Sequence, residues 1–212
     1  MSSLPPFPWN GGPMMSTTPF VTLDVFTDTR FGGNPLAVFT DARGLTDAQM
    51  QSLAAEMNLS ETTFVLPPQD GANTARVRIF NRTAEMPFAG HPSVGTGWVL
   101  SQMGRGEVLR LEVPAGIVEV RIENGGGVIA APQPLTVGEA LPVETIAACA
   151  GLTPADIVVS AHRPVEATVG VKFVFAEVTP DALGRAAPDL AAFRQAAHDH
   201  PEHGDRLSLH LY

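Results

Sequence analysis

Cysteine occurs once in the 212-residue sequence, at Cys149, and lysine once, at Lys172. A single thiol excludes an internal disulfide framework and suits a reducing compartment, so the cytoplasm is the expected location. Scarce lysine leaves 13 basic against 22 acidic residues, a formal net charge of −9. With no basic run to follow a phosphate backbone, nucleic acid is not an expected partner. No apolar stretch approaches the roughly 18 residues that span a bilayer, so no membrane is expected either. The opening MSSLPPFPWNGGPMMSTTP lacks the basic start and apolar centre of a secretory signal. What is present is 44% apolar residues, enough to fill a core.

The organisation follows from local pattern. Residues 1–19 are rich in Pro, Gly and Ser and are expected to form a disordered leader. FVTLDVF from Phe20 alternates like a half-buried strand, and PLAVF (35–39) reads as a second strand after the turn Gly32-Gly33-Asn34. Thr46 and Gln49 have capping-box spacing, and Met50, Leu53, Ala54 and Met57 recur along one helical face. Asn58 is a left-handed stop. ETTFVL, ARVRIF, VLRLEV and IVEVRI read as strands, the last two joined at Pro114-Ala115-Gly116, and ENGGG as a hairpin turn. The composition loosens over residues 131–136, which divides an N-terminal domain (20–130) from a C-terminal one (137–212). LTDAQMQSLAAEMNLSE (45–61) faintly echoes LPVETIAACAGLTPAD (141–156), with Glu61 falling on Pro154.

One segment carries chemistry. In AEMPFAGHPSVGTGW (84–98), Pro92 suits the first position of a helix running to Gly104, with His91 as its N-cap. Gly95 and Gly97 inside that helix each cost about 1 kcal/mol relative to Ala, so close packing must require small side chains there. The helix is almost uncharged on every side, the profile of one enclosed by other elements. Its N-terminus would offer unpaired N–H groups to a carboxylate, with His91 beside them; the other reading is that His91 only caps and packs. Glu61, at a helix-to-strand junction before an apolar run, is either a proton shuttle or a solvated loop residue. His198, His200 and His203 in HDHPEHGD match no zinc spacing and suggest a loop, so no metal is expected. Trp98 reads as core.

LDVFTDTRFGGNPLAVF, LAAEMNLSETTFV, ARVRIF and EMPFAGHPSVGTGWVL, in this order and spacing, resemble the N-terminal motifs of the phenazine-biosynthesis isomerases, relatives within the diaminopimelate-epimerase-like fold. VEATVGVKFVFAEV (165–178) is similar to the second-domain strand pattern of that family. The resemblance implies an α+β fold of two pseudo-repeated domains, each a curved, mostly antiparallel sheet around a central helix, with the site in the cleft between them. It assigns Glu61 as catalytic acid/base, and Gly90 with His91 as the substrate-contacting pair. The implied reaction needs no cofactor: a proton moves between carbons of a small cyclic or unsaturated carboxylate, and a homodimer is implied. Ala89 stands where two-thiol racemases carry cysteine, which disfavours a racemase or epimerase as the third reading. The second is a non-catalytic binding or scaffold relative. Relatives are longer and carry an Asp-Pro-Ala-Thr-Gly-Ser-like motif that is absent here, so the second domain is expected to be incomplete. A truncation, a fragment completed by a partner chain and a degenerate relative all fit, and little activity is expected of this chain alone.

Overall fold

A computed structural model describes residues 17–201 and 207–212. Most of the expected leader, residues 1–16, lies outside the described residues, as does His203. The architecture is α+β, built on two mostly antiparallel sheets.

The first sheet contains β1 (Phe20–Val25), β2 (Asn34–Phe39), β3 (Glu61–Leu66), β4 (Ala75–Phe80), β5 (Glu85–Met86), β6 (Val108–Val113), β7 (Gly116–Glu123) and β8 (Gly126–Ile129). Its order is β1-β2-β3-β4-β6-β7-β8, with the short β5 beside β4. Pairing is antiparallel except for the parallel pairs β2–β3 and β4–β6. Strand alternation sorts side chains onto two faces. Leu36, Val38, Val65, Val77 and Ile79 join one core, whereas Phe39, Phe64 and Phe80 join another on the opposite side.

Helix α1 (Asp47–Met57) covers the phenylalanine side, burying Met50 and Ala54. Its start is the expected capping box: Thr46 Oγ1 accepts from the Gln49 amide at 3.3 Å, and Gln49 Oε1 accepts from the Thr46 amide at 2.9 Å. Asn58 ends it with φ +55°. Rings of Phe39 and Phe64 stack at 4.8 Å, and Phe80 meets Phe64 edge-on at 5.5 Å.

On the other side the sheet curls around α2 (Gly90–Gln102), which touches β1, β2, β3, β6, β7 and β8. Nine of its residues are buried, from His91 to Leu100. The glycine requirement is steric: a Cβ on Gly95 would sit 2.6 Å from Leu36 Cδ2, and one on Gly97 2.5 Å from Val120 Cγ1. Buried hydroxyls of Thr63 and Thr96 share a hydrogen bond of 2.8 Å, tying helix to sheet. The β7–β8 turn is Asn124-Gly125, with φ +52° and +79°, the two-residue hairpin in which glycine is strain-free.

The second sheet contains β9 (Thr136–Ala140), β10 (Ile157–Val158), β11 (Val165–Thr168), β12 (Lys172–Val178) and β13 (Leu209–Leu211), the last parallel to β12. β9 takes up Thr136, which the sequence reading had placed in the link. Helices α3 (Val143–Cys149), α4 (Pro180–Arg185) and α5 (Leu190–Asp199) bury Ile146, Ala182 and Ala196 against Val174, Ala176 and Val178. The intervening Phe173 and Phe175 turn the other way, into a cavity shared with the first sheet. Among the described residues no helix is long and apolar enough to cross a membrane.

Candidate active site

Alternation along β3 sends Glu61 to the same face as Thr63, the face that holds α2. Parallel pairing of Leu36 with Glu61 brings the N-terminal ends of β2 and β3 side by side, and α2 begins at that rim. Glu61, His91 and Gly90 therefore meet, although 30 residues of chain separate the first two. The helix starts earlier than its proline suggests. Ala89 is the N-cap, so His91 is the second helical residue and not the cap. Pro92 fits the third position because the amides of a helix's first turn have no intrahelical acceptor, so a missing N–H there loses nothing.

His91 Nε2 lies 3.4 Å from Glu61 Oε2, with the side chains 8% and 17% exposed. Neither atom finds a hydrogen-bond partner in the protein. Buried polar atoms are normally paired, so two unpaired ones converging at a cavity make this the candidate site for another molecule's polar groups. On the far side of the ring, His91 Nδ1 is 3.2 Å from Asn34 Nδ2, and Ser60 Oγ donates to Asn34 Oδ1 at 2.7 Å. Burial pushes the His91 imidazole below its ordinary range, outweighing the Glu61 carboxylate and Pro35 carbonyl, which favour the charged form. Burial thus favours the neutral ring. Asn34 and Ser60 escaped the sequence reading, which took Asn34 as a turn residue. Only the β2–β3 register reveals them, because no local pattern links position 34 to position 91.

The cavity at this point has a volume of about 320 Å³. Its walls are Met86, Phe88 to His91 and Glu61 on one side, and Ala167 to Val169, Val171, Phe173 and Phe175 on the other. The floor includes the N-terminus of α2, where Ala89 has no side chain to cap the Gly90 and His91 amides. Ser93, by contrast, donates its amide to the Ala89 carbonyl at 3.3 Å. The Gly90 and His91 N–H groups and the positive end of the helix dipole stand beside Glu61, an arrangement that favours an anion.

The remaining candidates lie elsewhere. His198 pairs with Asp199 at 3.1 Å, and among the described residues no group of three or more His, Cys, Asp or Glu side chains converges as metal ligands would. Cys149, the last residue of α3, is buried in the second core, where burial pushes its thiol up. Trp98 packs on the first core and donates to the Gly125 carbonyl at 3.3 Å.

The sequence profile of the phenazine biosynthesis-like (PhzC-PhzF) proteins matches residues 23–204. An uncharacterized isomerase of Mesorhizobium japonicum is 40% identical over 195 residues, which is 86% of this chain and 64% of that protein. A trans-2,3-dihydro-3-hydroxyanthranilate isomerase of Pseudomonas aeruginosa is 39% identical over 164 residues, 74% of this chain and 58% of that protein. The chain thus spans less than two thirds of the length of these curated relatives. A solved structure of a predicted epimerase from Pseudomonas aeruginosa superposes with a TM-score of 0.77 at 28% identity, covering 92% of this chain and 70% of that one. A PhzF-family phenazine biosynthesis protein of Bacillus anthracis gives a TM-score of 0.74 at 29% identity, covering 91% and 66%. Profile, relatives and fold agree, and the chain belongs to the phenazine biosynthesis-like (PhzC-PhzF) protein family.

Proposed function

We propose that this protein is a cofactor-independent isomerase that moves a proton between carbons of a small cyclic or unsaturated carboxylate, with Glu61 as acid and base. The observation that carries this reading is the convergence of the unpaired Glu61 Oε2 and His91 Nε2 at a cavity floored by the uncapped end of α2. Relatives named as isomerases support the reaction class.

The Gly90 and His91 amides hold the substrate carboxylate and orient the ring against Glu61. Glu61 takes a proton from a ring carbon, and the electron pair left behind delocalises through the conjugated system toward that carboxylate. Charge developing there is met by the same two amides and the helix dipole. Glu61 then returns the proton to a second carbon on the same face, so atoms and charge balance without an external acceptor. His91, neutral and buried, donates from its ring to the substrate or to the Glu61 carboxylate. Phe88, Phe173 and Phe175 keep the reacting face dry.

The test is conversion of trans-2,3-dihydro-3-hydroxyanthranilate, or another conjugated cyclic acid, followed by NMR in deuterated water with wild type and Glu61→Gln. Loss of a general acid/base removes about 100-fold or more in turnover, with ligand binding retained. Undiminished turnover by the Gln variant would end the assignment. Binding with no turnover by either protein would favour a non-catalytic relative. The two-thiol racemase reading loses support because the chain's one cysteine is buried in the second core, away from the cavity.

A further inference from the structure

The wall that carries His91 reaches the site through a thin piece of chain. Strand β5 has two residues and pairs only as Ile79 with Met86 and Phe80 with Glu85. Pro87 follows, and without an N–H it cannot extend the ladder. Its carbonyl accepts from the Ala115 amide at 3.0 Å, and α2 begins three residues later. Met86, Phe88, Ala89, Gly90 and His91 all line the cavity. The placement of this wall against Glu61 therefore depends on how firmly β5 is held.

Arg78 holds it from the opposite face of the sheet. Glu85 lies across from Phe80, on the side covered by α1, and alternation along β5 sends Met86 to the cavity. Arg78, 9% exposed, grips both oxygens of Glu85: Nε donates to Oε1 at 2.7 Å and Nη2 to Oε2 at 2.6 Å. Nη1 donates to Asp47 in the first turn of α1, and the Phe80 ring lies 5.1 Å from the guanidinium carbon. Apolar side chains of similar volume stabilise such a place about as well as an ion pair, so stability alone does not call for this one. A two-pronged fork adds direction. With Glu85 held in one orientation, the neighbouring Met86 is aimed at the cavity.

We propose that Arg78 is a positioning residue of the active site: through Glu85 it fixes the course of residues 86–91, and with it the 3.4 Å approach of His91 Nε2 to Glu61 Oε2. It acts from outside the cavity lining and touches no substrate. The proposal rests on the reading of this cavity as the substrate site.

Two variants of the full chain test it. Arg78→Met combined with Glu85→Met exchanges the pair for apolar side chains and strands no buried charge, since Asp47 is 84% exposed. Arg78→Lys keeps the charge and loses the fork. The readouts are urea unfolding, proton–nitrogen spectra of the His91 ring without ligand, and calorimetric titration with benzoate as the carboxylate probe. The double variant should unfold near the wild-type urea concentration, yet shift the His91 ring signals and bind benzoate about five- to tenfold more weakly. Arg78→Lys should show a smaller shift in the same direction and bind about two- to threefold more weakly. Wild-type His91 signals and benzoate affinity in both variants would overturn the proposal. Should the double variant fail to fold, the same two readouts on Arg78→Lys decide. If wild type binds no benzoate, the carboxylate reading of the cavity fails, while the ligand-free His91 signals still decide the role of Arg78.

Discussion

Asn34 and His91 are 57 residues apart in the chain and 3.2 Å apart in the fold, amide nitrogen to imidazole Nδ1. The Ser60 hydroxyl donates to Asn34 Oδ1, which turns the amide N–H toward the ring. A neutral imidazole that accepts at Nδ1 carries its proton on Nε2, the atom 3.4 Å from Glu61. The tautomer thus follows from a serine and an asparagine outside the lining of the cavity that His91 Nε2 faces.

Asn34→Ala removes the amide that faces Nδ1, so nothing on that side of the ring then holds the proton on Nε2. Long-range proton–nitrogen correlation spectra should show the Nε2–H form of His91 in wild type and a larger share of the Nδ1–H form in the variant. Turnover should fall by about tenfold or more. An unchanged tautomer in the variant would refute this role for Asn34.

Burial of neutral His91 also makes a pH prediction. Its folded pKa lies below the unfolded value of about 6.5, so as pH falls the unfolded chain binds the proton first. The stability contributed by the neutral ring is complete above that value and is lost as pH falls through it toward the folded pKa. Denaturant unfolding of wild type and His91→Asn between about pH 7.5 and about pH 5 should show wild type losing stability more steeply. A stability difference independent of pH would contradict the buried neutral ring.

Gly97→Ala sets two effects against each other. Alanine gains about 1 kcal/mol of helix propensity, but its Cβ would lie 2.8 Å from Val120 Cβ, a contact no rotation of the valine relieves. Overpacking of about 1–3 kcal/mol wins, so the variant should be less stable in thermal or urea unfolding. Adding Val120→Ala should restore part of the loss. A Gly97→Ala protein more stable than wild type would show that α2 is not gripped by β7.

Much of the fold is written locally. Thr46 with Gln49, Asn58, and the alternation in β2, β3 and β4 each depend on residues a few positions apart, and each appears in the structure where those residues predict it. Gly95 and Gly97 foretold a tightly enclosed helix because their propensity cost needed a steric reason. Proline was a less reliable marker. Pro92 tolerates any position in the first turn, so the start at Gly90, and with it the place of His91, escaped the sequence reading.

Residue type and periodicity alone determined that a carboxylate sits at the mouth of β3 and an imidazole at the mouth of α2, since both follow from short-range pattern. Only the tertiary structure decided that they face each other. That depends on the parallel β2–β3 register, which also delivers Asn34 and Ser60, and on the β11–β12 hairpin, whose Val171 and Phe173 close the cavity from more than a hundred residues beyond Glu61 along the chain. Such contacts are set by packing the whole sheet around one helix, where side chains distant in sequence compete for the same buried space.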